Sequence, residues 1–500
     1  MVLLAMGSTA ISAQAIDDLA YANHAADEHF GKALAITSEW LVVGVPNAAT
    51  AQQKGSGKVA VYRNVDASWQ LFQELTAVDA SIADHFGFSV AVQGNVLVVG
   101  APGAFGAAPF SGQVFVYEFN GTAWGQVSVL TAPDASPLAN FGHAVAVEGR
   151  HIAVGAINGL GPQQGQTGAA YVFQKQAGQW VQQQKLMPES GADNDKFGYA
   201  LAFSQQGLLA IGAPGHNGAA PNAGAAYVFE LSNNAWQQAA YLLPQDAESH
   251  QYMGHAVAMN QTDLVVGAYQ ANGHAENSGA LYYYQQVGQA WQQQQTITAP
   301  AGQRNDHFGA AVSIAPNELL VGAPKANVTN SQDAGAAYYF EKSNGAFVLS
   351  STLQSPNVAA HDFFGSTVAI TQGALAITAL LNDGQHPNQG AVYTTMPDQV
   401  LAANQPPLNT QLQLLTYPNP ARQHTLIQYN LWQTAAVAVQ IYDNQGRAVK
   451  TLQAPTTQPP GQYQLRWNLT NNHNSPVGQG LYHYQLVVNG HVVSQKIIVQ

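Results

Sequence analysis

A short pattern recurs seven times in the first four-fifths of this 500-residue chain, and this repetition constrains the fold more than any other feature. Each copy begins with an aromatic residue and glycine, or Met-Gly in one copy, and successive copies start 55 or 56 residues apart: Phe30, Phe86, Phe141, Phe197, Met253, Phe308 and Phe364. A Gly-Ala-Pro tripeptide or a variant of it follows 14 or 15 residues later, as at residues 100–102 and 322–324. A fixed period of this kind indicates that each copy is one structural unit.

Four short runs of alternating apolar and polar residues fill each copy, separated by Gly, Pro and Asn. Such runs are typical of β-strands, and we name the four strands of a copy a, b, c and d in chain order. Four strands per period of about 55 residues, repeated seven times, predict a seven-bladed β-propeller. The fold class is therefore expected to be all-β.

The two ends of the repeat region favour a closed ring over an open stack. The seventh copy ends after its strand c at residues 390–395, with no strand d behind it. Leu19, however, lies eleven residues before Phe30, where the other copies place a Leu or Ile of strand d. We therefore expect an N-terminal strand to complete the last blade and leave no open sheet edge.

Composition excludes several classes of protein. Only 9% of the residues are charged and the net charge is −12, with no basic cluster that would release counterions from a nucleic acid. There is no cysteine, so disulfides and thiolate metal sites are excluded, and no apolar run reaches the roughly 18 residues of a transmembrane helix. Residues 1–15 combine a short apolar stretch with Ala13-Gln14-Ala15, which predicts a truncated signal peptide, with a plain N-terminal segment as the alternative.

The markers "GAAYVF", Phe-Gly and Gly-Ala-Pro, together with a Trp-led strand d, resemble the FG-GAP repeat of integrin α-subunit propellers, and still more its bacterial secreted version. The resemblance implies a seven-bladed propeller over residues 16–396 that binds extracellular ligands. Integrin repeats often hold calcium between strands a and b. Here that connection is only a short turn, as at residues 93–95, so those calcium sites are not expected.

The sequence pattern changes after the repeats. Residues 397–412 read as a linker, and residues 413–500 hold about seven short strands, which predict a small Ig-like β-sandwich. Its motifs "YPNP", "YDNQGRAVKTL" and "GQGLYHYQLVVNGHVVSQKIIVQ" resemble the type A C-terminal sorting domain of type IX secretion substrates in Bacteroidota. The resemblance implies export through the periplasm to the medium or the outer cell surface, with the type IX machinery as a partner. It assigns the sorting signal to Pro418, Asn419, Pro420, Gly446, Arg447, Gly480, Tyr482 and Lys496. An ordinary Ig-like accessory module is the alternative.

Familiar catalytic signatures are missing from the sequence, and no cofactor is expected. His143 and His255 occupy the same slot of two non-adjacent copies, which argues against a histidine pair. An acidic residue recurs two positions before the aromatic one (Glu28, Asp84, Asp195, Asp306, Asp362) and could either bond the amides of its own turn or bind calcium. Asp193 and Asp195 form the best calcium candidate.

The connections between strands d and a and between b and c should emerge on one face of the ring. They are long, differ between copies and are rich in Asn, Gln, His and Gly, which suits neutral polar ligands such as glycans or extended peptides. The residue two after the aromatic marker also varies and should lie near this face. Three functions follow: a non-enzymatic binding or adhesion protein with a glycan or protein ligand, a propeller-based glycan lyase or hydrolase, or a structural surface protein without a ligand.

Overall fold

The computed structural model describes residues 16–50, 53–161, 165–189, 191–288, 290–372, 374–395, 414–431, 435–444, 446–459, 461–488 and 491–500. The predicted signal peptide and linker lie outside these residues, and so do Asn489 and Gly490, a pair typical of a hairpin turn. The described residues form strands and no helix, so the all-β prediction is confirmed, and none of their elements could cross a membrane as an apolar helix. The chain divides into two compact units, Met1–Val400 and Leu401–Gln500.

The described part of the first unit contains seven antiparallel sheets of four strands each. The first six sheets each run a to d in chain order. Their strands are β2 (Ala33–Ile36), β3 (Trp40–Val45), β4 (Lys58–Val65) and β5 (Ser68–Leu75); β6 (Ser89–Gln93), β7 (Val96–Ala101), β8 (Gln113–Phe119) and β9 (Trp124–Leu130); β10 (Phe141–Glu148), β11 (His151–Ala156), β12 (Ala169–Gln176) and β13 (Gln179–Leu186); β14 (Leu201–Phe203), β15 (Leu208–Ala213), β16 (Ala225–Ser232) and β17 (Ala235–Leu242); β18 (Ala256–Met259), β19 (Asp263–Ala268), β20 (Ala280–Val287) and β21 (Ala290–Ile297); β22 (Ala311–Ala315), β23 (Glu318–Ala323), β24 (Ala336–Ser343) and β25 (Ala346–Leu353).

The seventh sheet joins both ends of the repeat region. It contains β26 (Phe364–Thr371), β27 (Ala374–Ala379) and β28 (Ala391–Thr395), and its fourth strand is β1 (Asp17–Asp18) from the N-terminal segment. Asp17 pairs with Thr394 and Asp18 with Tyr393, and the amide of Leu19 donates to the carbonyl of Val392 at 2.8 Å. The N-terminal segment thus forms the fourth strand of the seventh sheet, as the position of Leu19 predicts.

The two recurring glycine markers contact each other between neighbouring sheets. A Cβ on Gly100, in strand b of the second sheet, would collide with the carbonyl oxygen of Gly142, which follows Phe141 in the third. In the seventh sheet Thr378 occupies the strand b position, and its hydroxyl donates to the carbonyl of Gly31 in the first sheet at 2.9 Å. Small residues recur at these slots because the backbones of adjacent sheets meet there.

The second unit consists of two sheets packed on one core, as the sandwich prediction requires. One sheet has the order β29-β30-β33 and the other β32-β31-β34-β35. Their shared core includes Tyr429, Trp467 and Tyr484, which are fully buried. The strands are β29 (Leu415–Tyr417), β30 (Thr425–Leu431), β31 (Ala435–Asp443), β32 (Ala448–Gln458), β33 (Gly461–Trp467), β34 (Gly480–Val488) and β35 (His491–Val499).

Candidate functional site

Every sheet of the first unit contributes to one shallow depression of about 310 Å³, which we call the central depression. Each sheet places there the residue two after its aromatic marker, at the start of strand a. Because the seven copies share one register, these side chains are equivalent in position but differ in chemistry: Lys32, Phe88, His143, Tyr199, His255, Ala310 and Ser366. The sequence predicts that this variable slot lies near one face of the ring, and the structure brings all seven members together.

The larger of these side chains form an arc of ring contacts. The Lys32 ammonium lies 5.1 Å from the centroid of the Phe88 ring, and that centroid lies 5.2 Å from the ring centroid of His143. The ring centroid of His143 lies 4.7 Å from that of Tyr199, and the centroid of Tyr199 lies 4.9 Å from that of His255. Each of these side chains is partly exposed, so the arc offers ring surface to a ligand.

The arc continues outward onto a residue that sequence reasoning missed. This residue is Tyr269, in the b–c connection of the fifth sheet. Its ring centroid lies 4.4 Å from that of His255 and 5.0 Å from that of His307. It occupies the proline position of the Gly-Ala-Pro marker, as "GAY" in place of "GAP". That departure from the repeat is the signal that could have identified it.

Hydrogen bonds fix the tautomer of His255. Its Nδ1 lies 3.2 Å from the carbonyl oxygen of Ala310, which can only accept, so Nδ1 carries the proton of the neutral ring. Its Nε2 therefore accepts from the hydroxyl of Tyr199 at 3.1 Å. Burial, together with a smaller contribution from the charge of Lys32, lowers the pKa of both His255 and His143 to about 4.

The electrostatics of the central depression are those of a single cation. Lys32 is the one Lys or Arg among its described lining residues, and no Asp or Glu lines it. Burial lowers the pKa of the Lys32 ammonium. A pair of carboxylates for glycoside cleavage is therefore not found among these lining residues, whereas ring faces, imidazoles and hydroxyls suited to binding are present.

The d–a and b–c connections lie together, which confirms the predicted shared face. Gly57, at the end of the b–c connection of the first sheet, forms a parallel bridge with Phe86 at the start of the second. Gly168 and Phe197 repeat this arrangement between the third and fourth sheets. We call this side of the first unit the loop face.

The loop face carries exposed apolar side chains in the b–c connection of the second sheet. Phe105 and Phe110 are 58% and 42% exposed, with ring centroids 4.7 Å apart. Pro109 accepts a backbone hydrogen bond from Leu138, which is also exposed. Exposed rings of this kind are typical of contact surfaces.

A polar pocket of about 470 Å³ lies between the connections of the fifth and sixth sheets, and we call it the outer pocket. Arg304, His307 and Lys325 line it together with Asp333 and several amides. Arg304 lies 3.2 Å from Glu276, and Asp333 lies 3.4 Å from Nδ1 of His361. Burial lowers the pKa of His307 to about 4, with a further contribution from Lys325.

A third cavity, of about 570 Å³, lies where the N-terminal segment meets the seventh sheet. Asp18, Asp362 and Asp383 line it together with His24 and Tyr393. Burial raises the pKa of Asp18 and of Asp362. Asp362 is also engaged by the amide of Ala359 and the side chain of Asn382, so its carboxylate already has a structural role.

Four of the five recurring acids bond the amides of their own turns. The amide three residues earlier donates to the carboxylate in Asp84, Asp195, Asp306 and Asp362, at 2.6, 2.9, 2.7 and 3.2 Å. Glu28 instead forms a salt bridge with Lys58 at 3.2 Å. The turn interpretation is thus confirmed for these four positions.

The calcium candidates Asp193 and Asp195 differ in their surroundings. Asp193 is exposed, whereas Asp195 is buried and lies 2.9 Å from Nδ1 of His216. Among the described residues there is no group of three or more His, Cys, Asp or Glu side chains that could hold a metal ion. Calcium binding at this pair stays a prediction.

The predicted sorting residues fall into two groups. Asn419 donates to the carbonyl of Lys496 and accepts from the amide of Ile498, each at 2.8 Å, so its side chain bonds the open edge of β35 as a neighbouring strand would. Pro418 and Pro420 flank Asn419, and the exposed Lys496 lies opposite His483.

The remaining sorting residues lie at other ends of the strands. Gly446 and Arg447 form a turn in which Arg447 bonds Asp443 at 2.8 Å. Tyr482 follows Gly480 at the start of β34, and its ring packs against Trp467. The structure does not gather the eight residues into one site.

Comparison with known families gives two matches. Residues 69–117, 124–173, 180–229, 236–284, 291–340 and 348–395 match the FG-GAP repeat, each stretch running from strand d of one sheet to strand c of the next. Residues 421–491 match the FlgD Ig-like domain. No curated protein matches the chain at a significant level.

Three solved structures are similar to the chain at low identity. PorZ, an essential bacterial surface component of the type-IX secretion system of Porphyromonas gingivalis, is 13% identical with a TM-score of 0.45 over 96% of this chain and 61% of PorZ. Sqt1 of Chaetomium thermophilum is 16% identical (TM-score 0.46; 73% of this chain, 83% of Sqt1). The periplasmic gluconolactonase PpgL of Pseudomonas aeruginosa is 13% identical (TM-score 0.45; 85% of this chain, 99% of PpgL). The chain therefore spans less than two thirds of the length of PorZ.

Proposed function

The chain belongs to the FG-GAP repeat family, and from that premise we propose that it is a secreted or surface-displayed, non-enzymatic binding protein. Its first unit is a closed seven-bladed propeller that presents the central depression and the loop face to a glycan or protein. Its second unit is the sorting domain that the type IX machinery recognises during export through the periplasm.

Closure of the ring is supported by contacts between its first and last sheets. The N-terminal β1 completes the seventh sheet, and Thr378 donates to the carbonyl of Gly31 in the first. The hydroxyl of Thr367 donates to the carbonyl of Lys32 at 3.0 Å. These bonds join positions more than 300 residues apart in the chain, which a linear stack would separate.

The central depression is the observation that carries the binding proposal. Seven equivalent positions converge on it, yet they hold six different residue types, while the glycine contacts that hold the sheets together recur almost unchanged. Sugars stack on aromatic faces and bond imidazoles and hydroxyls, and this surface offers all three groups. A glycan is therefore the favoured ligand, and Phe105 and Phe110 favour a protein contact as well.

Sorting is supported by the sequence resemblance and by the construction of the last strand. Asn419 and Ala421 bond β35 along its outer edge, the latter through its amide to Ile498 at 2.7 Å. The "YPNP" segment and the C-terminal strand thus depend on each other, as two parts of a signal recognised by shape would.

Glycan-array and immobilised-matrix binding by the full chain tests the proposed function. We expect selective binding that Tyr199→Ala and Tyr269→Ala each weaken about tenfold, because each removes ring surface from the arc. Tyr241→Ala is the matched control, since Tyr241 is a partly exposed ring on the outer strand β17.

Binding that both arc variants retain would move the ligand away from the central depression. A full chain that binds no glycan or matrix protein would favour the structural alternative. Release of shortened glycans during incubation would favour the lyase or hydrolase.

A further inference from the structure

The ammonium of Lys32 is unusual among the buried lysines of this chain. Four lysines with side chains between 12% and 27% exposed form salt bridges: Lys58 with Glu28, Lys175 with Glu118, Lys185 with Asp134 and Lys342 with Asp263. Lys32 is also partly buried, but within the described residues its ammonium has neither a salt bridge nor a hydrogen bond. Among the described residues, the ammonium instead contacts the face of the Phe88 ring.

A ring face does not replace the hydrogen bonds that an ammonium loses on burial. A partly buried cation without a counterion is stabilised when an anion joins it, and the charge-assisted bonds so formed are among the stronger ones in proteins. Lys32 is also the one charged residue among the seven equivalent positions, so the repeat scaffold itself does not require a cation there.

The groups around Lys32 suit an acidic sugar. His143 and His255 line the same depression as Lys32 and offer ring faces to a sugar. Tyr199, Ser366 and Thr367 add hydroxyl oxygens that can accept hydrogen bonds from sugar hydroxyls, because their own protons are donated to His255 and to the carbonyls of Phe363 and Lys32. No carboxylate among the described lining residues would repel the ligand, although the whole chain carries a net charge of −12.

A second cationic position lies along the same track. The ring contacts lead from His255 through Tyr269 to His307, which lines the outer pocket with Arg304 and Lys325. Arg304 forms a salt bridge with Glu276, whereas the Lys325 ammonium has no salt bridge among the described residues. The corresponding residues after the Gly-Ala-Pro slot in the other copies are uncharged: Asn47, Gly103, Asn158, Gly215, Gln270 and Leu381.

We propose that the central depression binds an acidic oligosaccharide, with Lys32 bonding one carboxylate or sulfate group and Lys325 a second, and with the sugar rings lying along Tyr199 and Tyr269. This inference rests on the proposed binding function and names its ligand class. Carboxylate and sulfate share the chemistry that Lys32 requires, so the test includes both.

Calorimetric titration of the full chain distinguishes charge from sugar shape. The probes are trigalacturonate, its methyl ester, which has the same rings without charge, and a sulfated trisaccharide. We expect an acidic probe to bind at least about tenfold more tightly than the ester. Lys32→Met should abolish that preference, Lys32→Arg should retain it, and Lys325→Gln should reduce it.

Lys54→Gln is the matched control, because Lys54 is an exposed lysine of the b–c connection of the first sheet. An unchanged preference for the acid in Lys32→Met, or a loss equal to that of Lys32→Met in Lys54→Gln, would overturn the proposal. An aspartate tripeptide that binds in a Lys32-dependent manner while both acidic glycans do not would overturn the assignment to a glycan.

A second measurement does not depend on the chosen glycans. The rate at which an amine-reactive ester labels Lys32, followed by peptide mass spectrometry, should fall severalfold in the presence of inorganic sulfate, while labelling of Lys54 stays constant. Equal rates for Lys32 with and without sulfate, together with no preference for an acidic probe, would refute the anion site. Neutral glycans or proteins that bind on the array regardless of Lys32→Met would refute it too, and would leave the proposed function standing.

Discussion

The hydroxyl of Tyr199 lies 3.1 Å from Nε2 of His255, whose Nδ1 in turn lies 3.2 Å from the carbonyl of Ala310. This chain of bonds holds the imidazole neutral, with Nε2 as an acceptor. Protonation of His255 would reverse the bond to Tyr199 and place a second positive charge near Lys32. His255 therefore links the architecture of the central depression to pH.

The first prediction is that the first unit loses stability as the pH falls from about 6.5 to about 4. Burial and Lys32 lower the pKa of His255 and His143 from 6.5 to about 4, so the unfolded chain binds more protons between these values. The contribution is fully present above pH 6.5 and lost by pH 4, on the order of 1–3 kcal/mol for each histidine. Around His255 the groups that titrate or carry charge are Lys32, His143, Tyr199, Tyr269 and His307.

Urea unfolding at several pH values measures this loss. His255→Phe keeps the ring but removes the titration, so its stability should depend less on pH over the same range. His473→Phe is the control, because His473 is exposed in the second unit. An equal slope in wild type and His255→Phe would contradict the prediction.

The second prediction concerns the contact between glycine markers. Gly100→Ala should destabilise the first unit by about 2–4 kcal/mol, because its Cβ meets the carbonyl of Gly142 and the two sheets would have to separate. Gly125→Ala is the matched control, since a Cβ there meets nothing within 4 Å. Thermal unfolding should show a lower midpoint for Gly100→Ala alone. Similar midpoints for both variants would mean that the sheets do not meet as closely as described.

The fold could be predicted from the sequence wherever the residues that determine it recur in every repeat. The seven copies of the sequence repeat indicate four strands each, because apolar alternation and glycine slots recur in register. Six stretches match the FG-GAP repeat. Leu19 revealed the N-terminal strand because it falls in the same register. These features arise from backbone packing, which every copy must satisfy.

The site was predicted only in part because it consists of departures from the repeat. The variable slot that holds Lys32 and His143 was recognised, since an alignment of the copies isolates it. That the Lys32 ammonium has no salt bridge within the described part of the chain, and that Tyr269 contacts His255, depends on distances between sheets, which the sequence does not give. Neither the calcium prediction nor the sorting assignment could be decided from repeat patterns, because each rests on resemblance or on isolated residues.

The third prediction tests the seam of the ring. Removal of residues 1–20 deletes β1 and uncovers the edge of β28, so the protein should melt at a lower temperature and associate through the open edge. Removal of residues 1–15 is the control and should change neither property, because it leaves β1 intact. Sedimentation velocity and calorimetry measure the two effects. Identical behaviour of both truncations would argue against a ring closed by β1.

The last prediction separates the two units and tests the sorting proposal. Deletion of β35 removes one strand of the hydrogen-bonded ladder with β34 and the core side chain of Ile497, so the second unit should unfold while the first keeps its own melting transition. Asn419→Ala should weaken the second unit by about 1–3 kcal/mol, since it leaves the amide of Ile498 and the carbonyl of Lys496 without their side-chain partner. Lys496→Gln, at an exposed position, should leave the stability of the second unit unchanged.

In the native host, the protein without β35 should accumulate in the periplasm with an intact first unit, because the export machinery would recognise a folded shape rather than a linear tag. Normal export of the deleted protein would show that the second unit is an ordinary accessory sandwich.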